Sequence, residues 1–255
     1  MTITNNIYGY ANIAGTPVRY TSCNISKDQS PLFYNTIIGL RDTVPSGLFD
    51  SKSDGGSLNK QRQIYRSGVG IYKCSISYFI AGSEPLFELA KTGNEFDIGH
   101  PSGSGLTGCR VNSYTFTVSA GDVATVSADI MALDSGGSSG GEPLEEVLAT
   151  WDSFYVGGEA CDLQSFSFTI NNNCKPIYTC SNLFPTEIRI GTQAVSISYA
   201  TYGGQSLGSS ITLTGGGMNV TFGTLLDSGG GLQAASSGPQ ITTLNFEANE
   251  YSLGA

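Results

Sequence analysis

Few residues in this chain could carry catalytic chemistry, and their spacing argues against it. The string G-x-S-x-G, which presents a serine nucleophile in many hydrolases, occurs twice. One copy runs from Gly137 to Gly141 around Ser139, the other from Gly204 to Gly208 around Ser206. The motif needs a strand before it, a helix after it and a histidine base. The first copy sits in a Gly/Ser run, and neither precedes a helical pattern. The single histidine, His100 in DIGHPSGSG, has no second histidine to share a metal with and reads as a loop residue. Asp50, Asp54 and Gly55 hint at a calcium loop, but the acidic spacing departs from the ligand pattern. Glu145 and Glu146 are adjacent and point in different directions, unlike the facing carboxylates of a glycosidase. The N-x-S/T strings at Asn24 and Asn219 carry meaning only in a secreted chain. No phosphate-binding glycine loop is present. These residues predict no enzyme, no metal site and no cofactor.

The cysteines are Cys23, Cys74, Cys109, Cys161, Cys174 and Cys180. Six cysteines allow about 15 disulfide pairings, and their irregular spacing selects none. No C-x-x-C pair exists, which disfavours a zinc knuckle. Cys74 alternates with Ile76 and Tyr78 on the apolar face of its segment, so it reads as a buried free thiol.

The strongest pattern lies in the elements around these residues. NSYTFTVSAGD at 112–122 and QSFSFTINNN at 164–173 repeat one theme, and SISY occurs at Ser75–Tyr78 and again at Ser196–Tyr199. Aromatic or aliphatic residues alternate with Ser or Thr. That period of two predicts strands with one apolar face and one hydroxyl face. An ordinary exposed strand face would carry Lys, Glu or Arg. Short hydroxyls suit the close approach of another subunit, or a smooth wall past which something slides.

The 255 residues suffice for one large β domain or two small ones. Only 13% are charged, against about 25% in a typical domain, and glycine is high at 34. Such a surface is wettable but poor in ions, as in proteins that bury much of their exterior in assembly. The net charge of −9 argues against a sequence-reading nucleic-acid binder, which needs cations to neutralise phosphates. It leaves room for a protein that DNA passes without sticking. The N-terminal MTITNNIYGYANIAG lacks the basic and apolar regions of a signal peptide, and no stretch is long enough to span a membrane. A chain first folded in a cytoplasm is expected.

Along the chain, strands are predicted at Ile7–Ile13, Pro17–Ile25, Gly70–Ile80, Trp151–Val156, Asp162–Ile170, Ile188–Ile190 and Gln193–Tyr202. Cys109–Ala120 and Asp122–Met131 form a hairpin around Ala120–Gly121. In its second strand Ala124, Val126, Ala128 and Ile130 face one way, and Val123, Thr125, Ser127 and Asp129 the other. Residues 83–93 read as the one helix, with Ser83 as cap, Pro85 in the first turn and Gly93 as terminator. Residues 28–69 show no lasting periodicity, and an irregular connection that long is abnormal inside a compact domain. Its apolar residues Leu32, Phe33, Tyr34, Ile37, Ile38, Leu40 and Leu48 suggest an arm that orders on a neighbour. DSGGSSGGE at 134–142 reads as a flexible segment. Weaker strands are expected at Ser210–Thr214, Met218–Phe222 and Gln240–Glu247, with Gly203–Gly204, Gly215–Gly217 and Gly229–Gly231 as turns or tips. The sum is a mainly β fold, two packed antiparallel sheets (a sandwich or barrel) with one short flanking helix.

Two long blocks, GCRVNSYTFTVSAGDVATVSADIMAL at 108–133 and WDSFYVGGEACDLQSFSFTINNNCKPIYT at 151–179, resemble the tail tube proteins (major tail proteins) of tailed bacteriophages. FPTEIRIGTQAVSISYATYG at 184–203 and IAGTPVRYTSCNISKDQSPLFYNTIIGLRDTVPSG at 13–47 continue the likeness. It covers most of residues 7–203. Residues 204–255 follow it only loosely and are expected to add Gly-rich strands to the same domain. Six cysteines depart from the family's usual composition.

The resemblance implies a structural virion protein made in the host bacterial cytoplasm. Its subunits would form rings, usually hexamers, each contributing strands to one central β-barrel. Stacked rings would make the tube through which genome DNA passes. Implied partners are the protein itself, tape measure, tail terminator and distal tail proteins, and a sheath where the tail is contractile. The long loop at 28–69 would touch the adjacent ring through the seven apolar residues named above. On this reading Ser113, Thr115, Thr117, Thr125, Ser127, Asp129, Ser165, Ser167 and Thr169 are candidates to face the lumen. A negative, hydroxyl-lined bore repels phosphates weakly, where a Lys/Arg lining would hold them. The competing expectation is a monomeric β-sandwich module for carbohydrate or a receptor, with Trp151 and some of the 13 tyrosines as sugar platforms.

Overall fold

The computed structural model describes residues 9–37, 61–82, 84–103, 105–137, 147–157, 163–180, 182–202, 210–233 and 241–253. The strands are β1 (Gly9–Ile13), β2 (Thr16–Ile37), β3 (Gln61–Phe79), β4 (Phe96–Gly99), β5 (Leu106–Ser119), β6 (Thr125–Ala132), β7 (Asp134–Ser135) and β8 (Phe154–Gly157). They continue as β9 (Leu163–Asn171), β10 (Lys175–Ile177), β11 (Glu187–Arg189), β12 (Ala194–Tyr202), β13 (Ile211–Gly215), β14 (Met218–Gln233) and β15 (Ile241–Leu253). One helix, α1 (Pro85–Thr92), follows β3.

All strand pairings are antiparallel. The main sheet runs β4-β1-β2-β3-β6-β5-β9-β12-β15-β14-β13-β8, with β10 and β11 forming a separate small hairpin. β4 pairs with β5 as well as β1, so the first six strands close a circuit. At the other end the sheet folds back over its own middle. Phe154 of β8 lies 5.2 Å from Phe116 of β5, and Phe222 of β14 lies 5.1 Å from Phe168 of β9, centroid to centroid. The Tyr114 hydroxyl meets the Met218 sulfur at 3.7 Å. Two layers thus enclose one apolar core, as the sequence predicts, and the C-terminal strands join the same sheet through β12 and β15.

Alternation explains the core. Tyr114, Phe116 and Val118 of β5, Phe166, Phe168 and Ile170 of β9, and Val126, Ala128 and Ile130 of β6 are all buried. Phe168 sits at the centre, with the rings of Phe87, Tyr114, Phe116, Phe166 and Phe222 around it. Aromatic contacts of this kind each contribute about 0.5–1.5 kcal/mol beyond area burial.

α1 presses Leu86, Phe87 and Ala90 into that core. Its cap is Glu84, not Ser83, which lies outside the described residues. The Leu86 N–H donates to Glu84 Oε1 at 2.9 Å, and the Tyr78 hydroxyl donates to the same oxygen at 2.5 Å. Tyr78 sits on a core strand and fixes a buried acceptor there, so the carboxylate rather than the hydroxyl ends up at the helix start. Gly93 closes the helix with φ 66°, donating to the Leu89 carbonyl at 2.9 Å. Any side chain at 93 would also collide with Ile190. Buried Asn172 ties the helix to β5, donating to the carbonyls of Ala90 (2.8 Å) and Val111 (2.9 Å).

Three further sequence expectations change. Residues 28–37 and 61–69 are not an irregular loop: they extend β2 and β3 into one long hairpin, with a register shift between Gln29 and Pro31. Proline lacks an N–H for the ladder, and the irregularity beside it lets the strand continue. Gly229–Gly231 is not a turn but lies within β14, opposite Asn245, Leu244 and Thr243 of β15. Strand pairing overrides the weak β-propensity of glycine there. Trp151–Ser153 is a turn of 3-10 helix, and the strand begins only at Phe154.

Candidate functional surface

Of the residues singled out for reaction chemistry, only His100 is among those the structure describes. Ser139, Ser206, Asp50, Asp54, Gly55, Glu145 and Glu146 lie outside the described residues. His100 is held as a structural residue. Its Nε2 is 2.7 Å from the Tyr20 hydroxyl, its Nδ1 is 2.6 Å from Ser102 Oγ, and its ring stacks on Tyr20. Partial burial lowers its pKa from the ordinary histidine value. Among the described residues no cluster of three or more His, Cys, Asp or Glu side chains could hold a metal. Cys23, Cys74, Cys109, Cys174 and Cys180 are free thiols; Cys23 and Cys74 touch at 4.0 Å across β2 and β3.

The hydroxyl residues, by contrast, come together. Register aligns them in rows across the sheet. One row reads Ser22 (β2), Ser77 (β3), Ser127 (β6), Thr115 (β5), Thr169 (β9), Ser196 (β12) and Glu247 (β15). At about 4.8 Å between strands it spans about 29 Å. Beside it runs Asn24, Ser75, Asp129, Ser113 and Asn171. On the other side lie Thr125, Thr117, Ser167, Ser198 and Asn245, followed by Ser119 and Ser165. All nine predicted face residues therefore share one surface of β5, β6 and β9, and each is half-buried or exposed. Their neighbours in sequence point the other way, into the core.

The hydroxyls bond to one another. Ser77 and Ser127 meet at 2.8 Å, and Thr115 and Thr169 at 3.0 Å. Asp129 accepts from Ser75 at 2.6 Å and from Ser113 at 3.2 Å, which fixes its carboxylate in the plane of the wall. Among the described residues, the next row brings two cations, reading Ser26, Lys73, Met131 and Arg110. There Lys73 Nζ lies 2.8 Å from Asp28, and Arg110 lies 3.7 Å from Glu95 and donates to the Gly93 carbonyl. The result is a broad, shallow, hydroxyl-coated wall with fixed carboxylates and neutralised cations.

Ser22, Asn24, Ser75, Ser77, Ser196, Ser198, Asn245 and Glu247 extend this wall beyond the predicted nine. The two SISY strings carried the signal, since each puts Ser opposite an aromatic or aliphatic core residue. The arm candidates divide. Leu32, Phe33, Tyr34 and Ile37 fall on β2, with their side chains outside what is described. Ile38, Leu40 and Leu48 lie outside the described residues.

The described residues thus form a mainly β sandwich that carries one wide, hydroxyl-rich wall. The chain belongs to the phage tail tube protein family, whose model matches residues 15–249. No curated protein matches it. It is therefore a structural component of the tail tube of a phage virion. No described helix is long and apolar enough to cross a membrane.

Proposed function

We propose that this protein forms closed rings, six subunits each, that stack into the tail tube, and that the hydroxyl wall lines the conduit for genome DNA. The observation that carries the reading is the unbroken row from Ser22 to Ser196, six hydroxyls on six adjacent strands of a tail tube family member. Hydroxyls and two carboxylates, Asp129 and Glu247, give a phosphate backbone water to slide over and no ammonium group to hold it.

The sheet also ends in a way that suits ring closure. Beyond Tyr20, β2 has a strand partner only on its β3 side among the described residues. Beyond Phe222, β14 is likewise paired only with β15. A strand edge presents a row of backbone N–H and C=O groups that another chain can pair with. Here these edges are the natural place for a neighbour to continue the sheet, and head-to-tail contacts of two different edges close into rings. The long hairpin of β2 and β3 would reach the next ring, with the 38–60 segment at its tip. The subunits would then meet the tape measure, terminator and distal tail proteins at the ends of the tube, and a sheath where the tail contracts.

Two measurements test this. Purified protein should sediment as rings or tubes at high concentration; a single-copy species under all conditions overturns the assembly. Ser127→Cys should react with a bulky polymer-linked maleimide in dissociated subunits and become protected in assembled tubes, while Val147→Cys, at 91% exposure, stays reactive. Equal reactivity of Ser127→Cys in both states would remove the wall from the bore.

A further inference from the structure

The long hairpin leaves the body of the subunit at one residue. β3 pairs with β6 from Tyr72 to Phe79, but from Gln61 to Gly70 its only strand partner among the described residues is β2. At that exit the chain joining β10 to β11 lies across β3. The Gly70 N–H donates to the Leu183 carbonyl at 2.8 Å, and the Tyr178 hydroxyl donates to the Gly70 carbonyl at 3.2 Å. Both backbone groups of Gly70 therefore turn away from β2 and are met by one small hairpin. Phe184 stacks on Tyr72 with centroids 5.0 Å apart and planes 20° apart, and the Lys27 ammonium stands 4.6 Å from the Phe184 centroid. The fit leaves no room: a Cβ at position 70 would lie 3.0 Å from Phe184 and 3.1 Å from the Asp28 carbonyl oxygen. The register shift between Gln29 and Pro31 falls at the same level on β2.

We infer that the β10–β11 hairpin is a clamp that sets the angle of the long arm, with Phe184 and Tyr178 as positioning residues for the docking of one ring on a second copy of itself. The inference rests on the arm being the inter-ring contact proposed above. A two-stranded ribbon alone is marginally stable and twists freely. From Gly70 to Gln61, at about 3.3 Å per residue, it extends about 30 Å. A swing of about 10° at the root then moves its end by about 5 Å, more than an interface packed at interior density tolerates. Holding the root from the edge that β6 has vacated removes that swing. The same contacts account for a Gly at 70 and for three aromatic rings, Tyr72, Tyr178 and Phe184, gathered where the sheet loses a strand.

The experiment uses the full-length protein in four forms: wild type, Phe184→Ala, Phe184→Tyr, and a variant with residues 38–60 replaced by Asn-Gly. Ring formation is read by sedimentation, and tube formation by electron microscopy against protein concentration. Phe184→Ala should form rings at the wild-type concentration but need about tenfold more protein for tubes, equivalent to about 1.4 kcal/mol. Phe184→Tyr should restore stacking, because the ring face is kept. A Phe184→Ala protein that loses rings and tubes together, or neither, overturns the clamp. If the 38–60 replacement stacks like wild type, the inter-ring role of the arm fails instead. If it abolishes stacking while Phe184→Ala stacks normally, the arm stands and the clamp alone is refuted.

Discussion

The carboxyl of Glu84 should make this subunit less stable as pH rises through neutrality. Glu84 is 7% exposed and accepts from Tyr78 and the Leu86 N–H at Oε1, while Oε2 has no hydrogen-bond partner. Desolvation pushes its pKa from 4.5 up to about 7, with the Tyr78 and helix N–H bonds pulling back only part of the way. The folded state therefore binds a proton more tightly than the unfolded chain does. Stability from this group is fully present below about pH 4.5, declines between about 4.5 and 7, and is absent above. The difference amounts to about 3 kcal/mol. Glu84→Gln keeps the acceptor and removes the charge. Its amide N–H₂ takes the place of the orphaned oxygen and costs about 1–3 kcal/mol at every pH. That constant cost cancels when the variant is compared with itself across pH. Urea unfolding at pH 4.5 and pH 8 should show the stability gap between Glu84→Gln and wild type moving in the variant's favour by about 3 kcal/mol as pH rises. A gap that stays constant would refute the premise that Glu84 ionises inside the core.

Asp129→Lys should leave the fold intact, since Asp129 is exposed and loses only its bonds to Ser75 and Ser113. Phage carrying it should eject DNA more slowly at low salt, each phosphate contact tightening the hold by about three- to fourfold between about 200 and 50 mM; ejection kinetics at both salts read this directly. Asn172→Ala should destabilise by about 2–3 kcal/mol in urea, because the Val111 carbonyl loses its amide donor and Gln193 loses an acceptor inside the sandwich. Among the described thiols, maleimide labelling at pH 8 should reach Cys180 first, while Cys109, whose thiol burial pushes up to about 12, labels only on unfolding.

Alternation was legible because it is local. Tyr114, Phe116 and Val118 could be assigned to one face and Ser113, Thr115 and Thr117 to the other without knowing any partner strand. The alignment of those faces into rows was not, because register depends on irregularities that sequence does not announce. The shifts between Val111 and Ser113 and between Tyr20 and Ser22 place Ser113 opposite Asp129 and Ser22 opposite Ser77. The long hairpin was hidden for a similar reason. Pro31 and a polar stretch read as loop, yet pairing of residues 61–70 with 29–37 supplies the ladder that neither segment advertises alone. Ser83 reads as the cap from sequence because the contact that favours Glu84, from the Tyr78 hydroxyl, comes across the start of the helix rather than along it.

A period of two writes both functions of these strands into the same residues. One face must be apolar enough to hold two layers together, and Phe168 with its ring of aromatics does that. The other face is then free to vary, since a change at Thr115 or Ser127 touches no core atom. A wall crossing seven strands would ordinarily collect lysines and glutamates, which favour solubility and discourage stray pairing. Instead, Lys73 and Arg110 sit at its margin, each beside an acid, and the middle rows carry hydroxyls. Core packing does not require that arrangement, and solubility would favour another. If DNA passes along this wall as proposed above, the polyanion penalises cations there, which fits Asp129 in the middle rows and Lys73 and Arg110 at the margin, each beside an acid; a neutral sugar would impose no such penalty.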